Sequence, residues 1–335
     1  MNDLARTITI VGAGGIGCAL GYALRAGGVD VTFVDADADK IRSGREHGVR
    51  VDEKPALPAT FVEFDDWSPR PDDLLFLCTK CYDNAAVLER VPADIPIVPV
   101  QNGFDPRLVE RVEIEGIASF VSECEPGTPH TRITRPGELH IGFRDDANGR
   151  ELPAALSALV NVLKRHGDFP VLRVPAVLPY KNTKLMYNAA ISPIAALAGL
   201  DNGELLTLPR ARKIFFALIL ENYRILSGAG APLAKIGPFH PDTVSRILHV
   251  PLLPFFMSFS FVKSLRGTYC SMAGEIQKGR TEIDNYNGHL LAVAGSRSFP
   301  LNRAVHDLVK RMEAERAAPS IDRLDELSAA IGGAR

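Results

Sequence analysis

Gly12-Ala13-Gly14-Gly15-Ile16-Gly17 stands between a β-rich run, Thr7 to Val11 (TITIV), and a helical stretch, Cys18 to Ala26, and no other feature limits the fold so closely. With the helix ending at Gly27-Gly28 and a second strand reading from Val31 to Val34, strand, turn, helix and strand follow within about thirty residues. That is a βαβ unit, and its right-handed crossover sets the two strands parallel. In G-x-G-x-x-G the first glycine permits the tight turn, the second lets a diphosphate approach the backbone, and the third lets helix and strand pack closely. The amides of Gly12, Ala13, Gly14, Gly15, Ile16 and Gly17, with the positive helix end, form an anion cradle. Asp35 ends the second strand roughly 20 residues on, where a carboxylate accepts from adenosine ribose hydroxyls and repels a 2′-phosphate. This favours NADH over NADPH; the competing reading has Asp35 open the turn DADAD and cap the helix starting near Asp39.

Further buried strands are expected at Leu74 to Cys78, Ile97 to Val100, Ile117 to Val121 and Leu139 to Gly142. Together they describe an α/β domain with a doubly wound parallel sheet and an antiparallel tail. Lys80 and Asn102 follow two of these strands, at the carboxyl ends where open α/β sheets bind ligands. Lys80 could reach a phosphate or ribose and Asn102 the nicotinamide ribose or the substrate; a solvated lysine and a turn asparagine are the alternatives.

After Glu151 the texture changes to a helical pattern from Leu152 to Arg165, a short strand at Val171 to Val174, then an all-α remainder. Pro175 and Pro179 bracket the expected hinge. The expected division is a dinucleotide-binding domain over residues 1–176, a helical substrate domain over 177–320, and a tail over 321–335, with fraying beyond Ala317.

The chain has 335 residues and a formal charge of -2, with Lys and Arg scattered, which argues against nucleic-acid binding. Five cysteines, widely spread and odd in number, suit a reducing cytoplasmic setting. Cys78-Thr79-Lys80-Cys81 has metal spacing without a second pair, so no metal is expected. The apolar run Leu252 to Val262 is interrupted by Pro254 and is far shorter than the roughly 20 residues of a membrane span. Apolar faces such as Ile214 to Leu226 suggest a homodimer.

Lys184, Asn188 and Ser192 recur every fourth residue, and on a helix each such step advances about 6 Å and turns only ~40°, so amine, amide and hydroxyl share one stripe. An amine facing a nicotinamide ring suits carbonyl reduction, although a lysine whose stem merely covers the core reads the same way. Glu282 stands alone downstream; on spacing it could equally be a surface carboxylate at a helix start. Pro193, inside the same helix, removes one backbone donor, should kink the helix just after the stripe and should leave the Ala189 carbonyl facing a cleft. The aromatics Phe255, Phe256, Phe259 and Phe261 suit a larger apolar pocket or packing.

The segments GAGGIG, CTK, VQNG, PGELHIG, KLMYNAAISPIAAL, DNGEL, Ser271-Met272 and TEIDNYNG resemble the ketopantoate reductase (2-dehydropantoate 2-reductase) family from Ile8 to about Met312. The resemblance implies a Rossmann domain joined to a helical domain like the C-terminal domain of 6-phosphogluconate dehydrogenase, with NADPH reducing a 2-oxo acid in the cleft between them. It implies that Lys184 donates the proton and that Glu282 lies near cofactor and substrate. It also implies that Asn188, Ser192, Asn202 and Ser271 contact substrate, with Asn102 and Lys80 at the cofactor edge. Asp35 departs from the family's usual basic residue, and Ser192 replaces a second helix asparagine. Ketopantoate reduction is therefore the first functional expectation. An NAD-dependent 2-hydroxy acid dehydrogenase for a bulkier substrate is the second, and a non-catalytic nucleotide sensor the third.

Overall fold

Every residue of Ile8–Val11 (β1) is buried, as an apolar strand must be when parallel neighbours flank it and helices cover both faces. The computed structural model describes residues 8–250, 262, 265–270, 272 and 274–332. One compact unit ends at Leu178 and a second begins at Pro179. In the first, β1 leads through α1 (Gly15–Ala26), β2 (Val31–Asp35), α2 (Ala38–His47), β3 (Arg50–Val51), β4 (Thr60–Glu63), β5 (Leu74–Leu77), α3 (Asn84–Arg90) and β6 (Ile97–Pro99). Five of these strands form a parallel sheet in the order β4-β2-β1-β5-β6. Ile8 to Val11 lie opposite Val31 to Val34 on one side and Leu74 to Leu77 on the other.

Strand side chains alternate between faces, and the sheet consequently separates two apolar clusters. Ile10, Phe33, Phe76 and Val98 join Leu20, Leu24 and Leu159 in one. Val11, Val34, Leu75, Leu77 and Ile97 join Trp67, Val87 and Val91 in the other. Each large aliphatic side chain so buried contributes about 1.5–3 kcal/mol.

The rest of the unit comprises β7 (Ile114–Ala118), β8 (Val121–Cys124), β9 (His130–Arg135), β10 (Leu139–Phe143), α4 (Ala154–His166) and β11 (Val171–Val174). β10 pairs antiparallel with β7 and parallel with β11, and a parallel bridge between Val100 and Gly116 joins this sheet to the first. The single strand expected from Ile117 to Val121 is instead two. The chain turns at Ser119 and Phe120, and β8 leaves to pair with β9 in a third sheet, β3-β9-β8, packed against α1.

The second unit is helical: α5 (Leu178–Ala198), α6 (Asn202–Thr207), α7 (Pro209–Gly228) and α8 (Pro241–Leu248) precede a π-helical turn at Asp284–Gly288. Helices His289–Ala294, Pro300–Glu315 and Arg323–Gly332 complete it. The segment expected to fray beyond Ala317 instead ends in that last helix, where Leu324 and Leu327 are buried and Ser320 N–H donates to Leu197 O at 2.8 Å. The apolar face of Ile214 to Leu226 is also not an open pairing surface. Ile214, Phe215, Leu218, Ile219, Ile225 and Leu226 are buried within this chain, where α7 packs on α6, α8 and the three last helices. Among the described residues no helix is long and apolar enough to cross a membrane. The aromatic run Phe255 to Phe261 lies outside the described residues.

Candidate active site

Three glycines of the N-terminal loop each have a separate steric reason. Gly12 sits at φ +98°, and a Cβ there would lie 2.7 Å from Thr79 N, because the end of β5 crosses directly beneath it. A Cβ on Gly17 would meet Gly12 O at 2.0 Å, so only glycine lets α1 seat on its strand. Gly15 is pressed as tightly against β8, with a Cβ position 2.5 Å from Ser122 O. Gly14 differs: a Cβ there would meet nothing within 4 Å. The open side of the loop is therefore at Gly14, where α1 begins and its first amides have no helical partner.

Asp35 is fastened to this loop. Its Oδ2 accepts from Ala13 N–H at 2.7 Å, its Oδ1 from Asp37 N–H at 3.0 Å, and Lys40 Nζ lies 3.6 Å from Oδ2. The helix α2 is capped by Asp37, which accepts from Lys40 N–H, so the capping role considered for Asp35 belongs to its neighbour. Burial works against the Lys40 ammonium, but Asp35 and the thiols of Cys124 and Cys18 outweigh it and raise its pKa.

Lys80 and Asn102 follow β5 and β6, neighbouring strands, and the end of β5 adjoins the glycine loop. A buried polar cluster locks these two loops together. Gln101 Nε2 donates to Thr79 O at 2.8 Å and to Asn84 Oδ1 at 2.7 Å, and Asn84 Nδ2 donates to Asp105 Oδ2 at 2.9 Å. Asn102 is left half-buried, with an Oδ1 that has no hydrogen-bond partner among the described residues; Ser122 Oγ is in the same condition. Buried polar atoms are seldom left so. An open glycine, helix-start amides without helical partners, a strand-end carboxylate and the Asn102 oxygen fit a dinucleotide. Gln101, Asn84, Ser122 and Lys40 are members that sequence reasoning missed, since nothing in their spacing marks them. In the Cys78-x-x-Cys81 segment, burial pushes the Cys78 thiol well up and Cys81 Sγ donates to Gln101 Oε1 at 3.8 Å. Among the described residues no group of three ligating side chains could hold a metal.

In the second unit Lys184, Asn188 and Ser192 lie on α5 as the four-residue spacing requires. Lys184 and Asn188 are half-buried, whereas Ser192 is buried. The rotation of α5 is fixed from its other sides: Asn182 Nδ2 donates to Pro232 O at 3.0 Å and Asn222 Nδ2 to Met186 O at 2.9 Å. Tyr187, beside Asn188, is pushed up to about 12 by burial and stays protonated at neutral pH. Lys181, one turn before Lys184, is buried at 2% exposure, a second lysine on this stripe that the four-residue pattern passes over.

Helix α5 continues through Pro193, which removes the amide that would serve the Ala189 carbonyl. That carbonyl does not open onto a cleft. It accepts from Asn287 Nδ2 at 3.0 Å, a side chain from the π-helical turn of TEIDNYNG. Asn287 also donates to Asn302 Oδ1 at 2.9 Å, and Asn302 Nδ2 donates to Glu221 Oε2 and Asn222 Oδ1. Glu221 accepts from Leu301 N–H and Asn302 N–H, capping a helix whose own preceding residue, Phe299, supplies no side-chain cap.

Glu282 lies two residues before that turn and is only 2% exposed, so the surface-carboxylate alternative is excluded. Tyr286 O–H donates to its Oε2 at 3.3 Å. Around it, Glu313 Oε1 accepts from Thr281 N–H and Oγ1–H, and Asp284 pairs with His306 and Lys310, both at 2.8 Å. Burial opposes ionisation of Asp284, but Lys310 and His306 outweigh it and hold the carboxyl below its usual range. Asn202 is pinned at the start of α6: its N–H donates to Thr268 O at 2.9 Å, while its Oδ1 is unpaired among the described residues. Ser271 lies outside the described residues.

Both halves match family models of one family. Residues 8–144 match ketopantoate reductase PanE/ApbA and residues 176–313 match the ketopantoate reductase PanE/ApbA C-terminal domain. The 2-dehydropantoate 2-reductase of Aquifex aeolicus is 26% identical over 326 residues, covering 91% of this chain and 96% of that protein. The 2-dehydropantoate 2-reductase of Halobacterium salinarum is 23% identical over 314 residues, covering 90% and 97%. Among solved structures, D-mandelate dehydrogenase with NADH and anilino(oxo)acetate superposes with a TM-score of 0.73 at 19% identity, covering 92% of this chain and 99% of that one. The PanE/ApbA family ketopantoate reductase of Ralstonia eutropha gives 0.70 at 21% identity, with the same coverage. The chain thus belongs to the ketopantoate reductase family. It is accordingly an NAD(P)-dependent oxidoreductase of the 2-dehydropantoate 2-reductase type.

Proposed function

We propose that this chain reduces the 2-oxo group of ketopantoate, a step of pantothenate biosynthesis, with Lys184 as proton donor and NADH favoured over NADPH. The observation that carries the reading is Lys184 with Asn188 on α5, half-buried on a helix whose rotation is fixed, in a chain that matches 2-dehydropantoate 2-reductases over nine-tenths of its length. Bound NAD(P)H supplies the hydride. Lys184 Nζ hydrogen-bonds the carbonyl oxygen and gives it a proton as negative charge develops there, which combines general acid catalysis with charge stabilisation. Its positive charge also attracts the substrate carboxylate, and Asn188, Ser192, Asn202 and Ser271 supply neutral hydrogen bonds. Glu282, which accepts from Tyr286 O–H, holds Lys184 in its charged form or meets a substrate hydroxyl through water. Gly12 to Gly17, Asp35, Lys80 and Asn102 hold the dinucleotide.

The preference for NADH rests on Asp35. Lys40 offsets part of its charge, yet the Lys40 side chain is only 13% exposed and is turned to Asp35, so it is not offered to a 2′-phosphate. Replacing Lys184 with Ala should lower kcat by 10²-fold or more, since a positioned proton donor typically contributes that much, and leave NADH binding nearly unchanged. Turnover within about threefold of wild type would remove Lys184 from the role of acid.

A second reading, oxidation or reduction of a bulkier 2-hydroxy or 2-oxo acid with NAD(H), draws on Asp35, on the short Ser192 arm and on the likeness to D-mandelate dehydrogenase solved with NADH. Comparing kcat/KM for ketopantoate with that for aromatic and branched 2-oxo acids separates the two. A higher value for the aromatic acids would favour the second.

A further inference from the structure

Beneath the glycine loop two thiols converge on one carbonyl. Cys18 Sγ donates to Ala13 O at 3.2 Å, and Cys124 Sγ lies 3.7 Å from the same oxygen while donating to Thr128 O at 3.1 Å. Even approaching that oxygen from opposite sides the sulfurs would be no more than about 7 Å apart, and side-chain rotation alone can close such a gap where the backbones are near. The backbones are near. Gly15 rests on Ser122 so closely that a Cβ would not fit. Cys18 is one helical turn beyond Gly15, and Cys124 is two residues beyond Ser122 on the same strand face, so the thiols form the next rung of that contact. Cys18 is buried and Cys124 half-buried, so a small oxidant in solution reaches Cys124 first.

We propose that Cys18 and Cys124 form a redox-sensitive pair, oxidised by hydrogen peroxide to a disulfide that disables the dinucleotide loop above it. The Cys124 thiolate attacks one peroxide oxygen; the O–O bond breaks, the sulfur becomes a sulfenic acid, and hydroxide leaves and takes up a proton as water. The Cys18 thiol then attacks the Cys124 sulfur, the S–O bond breaks, and the second water departs with the thiol proton. Two thiols and one peroxide give one disulfide and two waters. Hydrogen bonding with Cys18 lowers the Cys124 pKa, and the Lys40 ammonium acts in the same direction against burial, Asp35 and Glu125. The hydrogen bond with Cys124 and burial raise the Cys18 thiol well above its usual range, so Cys18 is the slower partner and gives up its proton only as it attacks. Unlike Cys124, Cys78 is pushed well up by burial.

The coupling to the cofactor runs through Ala13. Its carbonyl holds both thiols and its N–H holds Asp35 at 2.7 Å, so a disulfide removes both sulfur donors from one end of a residue whose other end positions the strand-end carboxylate. The covalent part stands whether or not the substrate reading is right. The binding part rests on the loop holding NAD(P)H.

The test treats the whole reduced protein with hydrogen peroxide and maps peptides by mass. Expected is a peptide linking Cys18 to Cys124 with the loss of two hydrogens, absent from Cys18→Ala and Cys124→Ser. NADH binding, followed by its fluorescence, should weaken at least about tenfold in step with that cross-link and recover with dithiothreitol. Sulfinate at Cys124 with no cross-link, a link between Cys78 and Cys81 in its place, or a full cross-link with unaltered NADH binding would each overturn the proposal. Failure of the untreated protein to bind NADH at all would instead count against the cofactor reading, with the mass result still decisive for the pair.

Discussion

Asp35 shows how one side chain can be legible in position and illegible in circumstance. The spacing from the glycines located it, but the spacing is silent about Ala13 N–H, Asp37 N–H and Lys40, which together occupy much of the carboxylate. Each oxygen retains an acceptor direction, so the ribose role and the loop-holding role coexist. They can be separated by Asp35→Asn, which keeps an oxygen for Ala13 N–H and removes the charge. The NADH to NADPH ratio of kcat/KM should then fall by about tenfold or more, the equivalent of one lost charge-assisted discrimination. An unchanged ratio would mean that Asp35 serves the loop alone. Gly12 and Gly17, in contrast, were legible in full, because each answers a steric demand that the motif itself encodes.

At the scale of elements, apolar periodicity located the buried strands of the parallel sheet, because a strand buried on both faces is written as a continuous apolar run. It missed β4 and β9, half-exposed segments such as His130–Arg135 that are held by their neighbours instead of by their own hydrophobicity. The polar stripe on α5 followed from helical geometry and Pro193 correctly marked an orphaned carbonyl. The partner that takes that carbonyl, Asn287, is 98 positions away, a distance no local pattern spans. Its removal in Asn287→Ala leaves the Ala189 carbonyl buried and unpaired, which should cost about 1–3 kcal/mol in denaturant unfolding. Pro193→Ala restores a helix amide for that carbonyl. In the Pro193→Ala background the same asparagine substitution should cost about 1 kcal/mol less, a coupling that a double-mutant cycle reads directly. Strict additivity would show that Asn287 matters only through Asn302.

For the whole molecule, the consequential fact is that the residues proposed for the dinucleotide and those proposed for proton transfer belong to different compact units. The glycine loop, Asp35, Lys80 and Asn102 lie in the unit ending at Leu178, and Lys184, Asn188 and Glu282 in the unit beginning at Pro179. A ligand that binds the folded state at one hundred times its Kd stabilises it by about 2.7 kcal/mol, and the stabilisation appears first where the ligand is held. Saturating NADH should therefore slow amide hydrogen exchange most in Gly15–Ala26 and Val31–Asp35. Lys184→Ala should preserve that protection in full, because the lysine is asked to move a proton and not to hold the dinucleotide. Protection that vanished from Gly15–Ala26 in Lys184→Ala would show that the second unit is needed to bind the cofactor. The loss of turnover in that variant would then report binding, and the proton-donor role of Lys184 would need single-turnover rates at saturating NADH to be established.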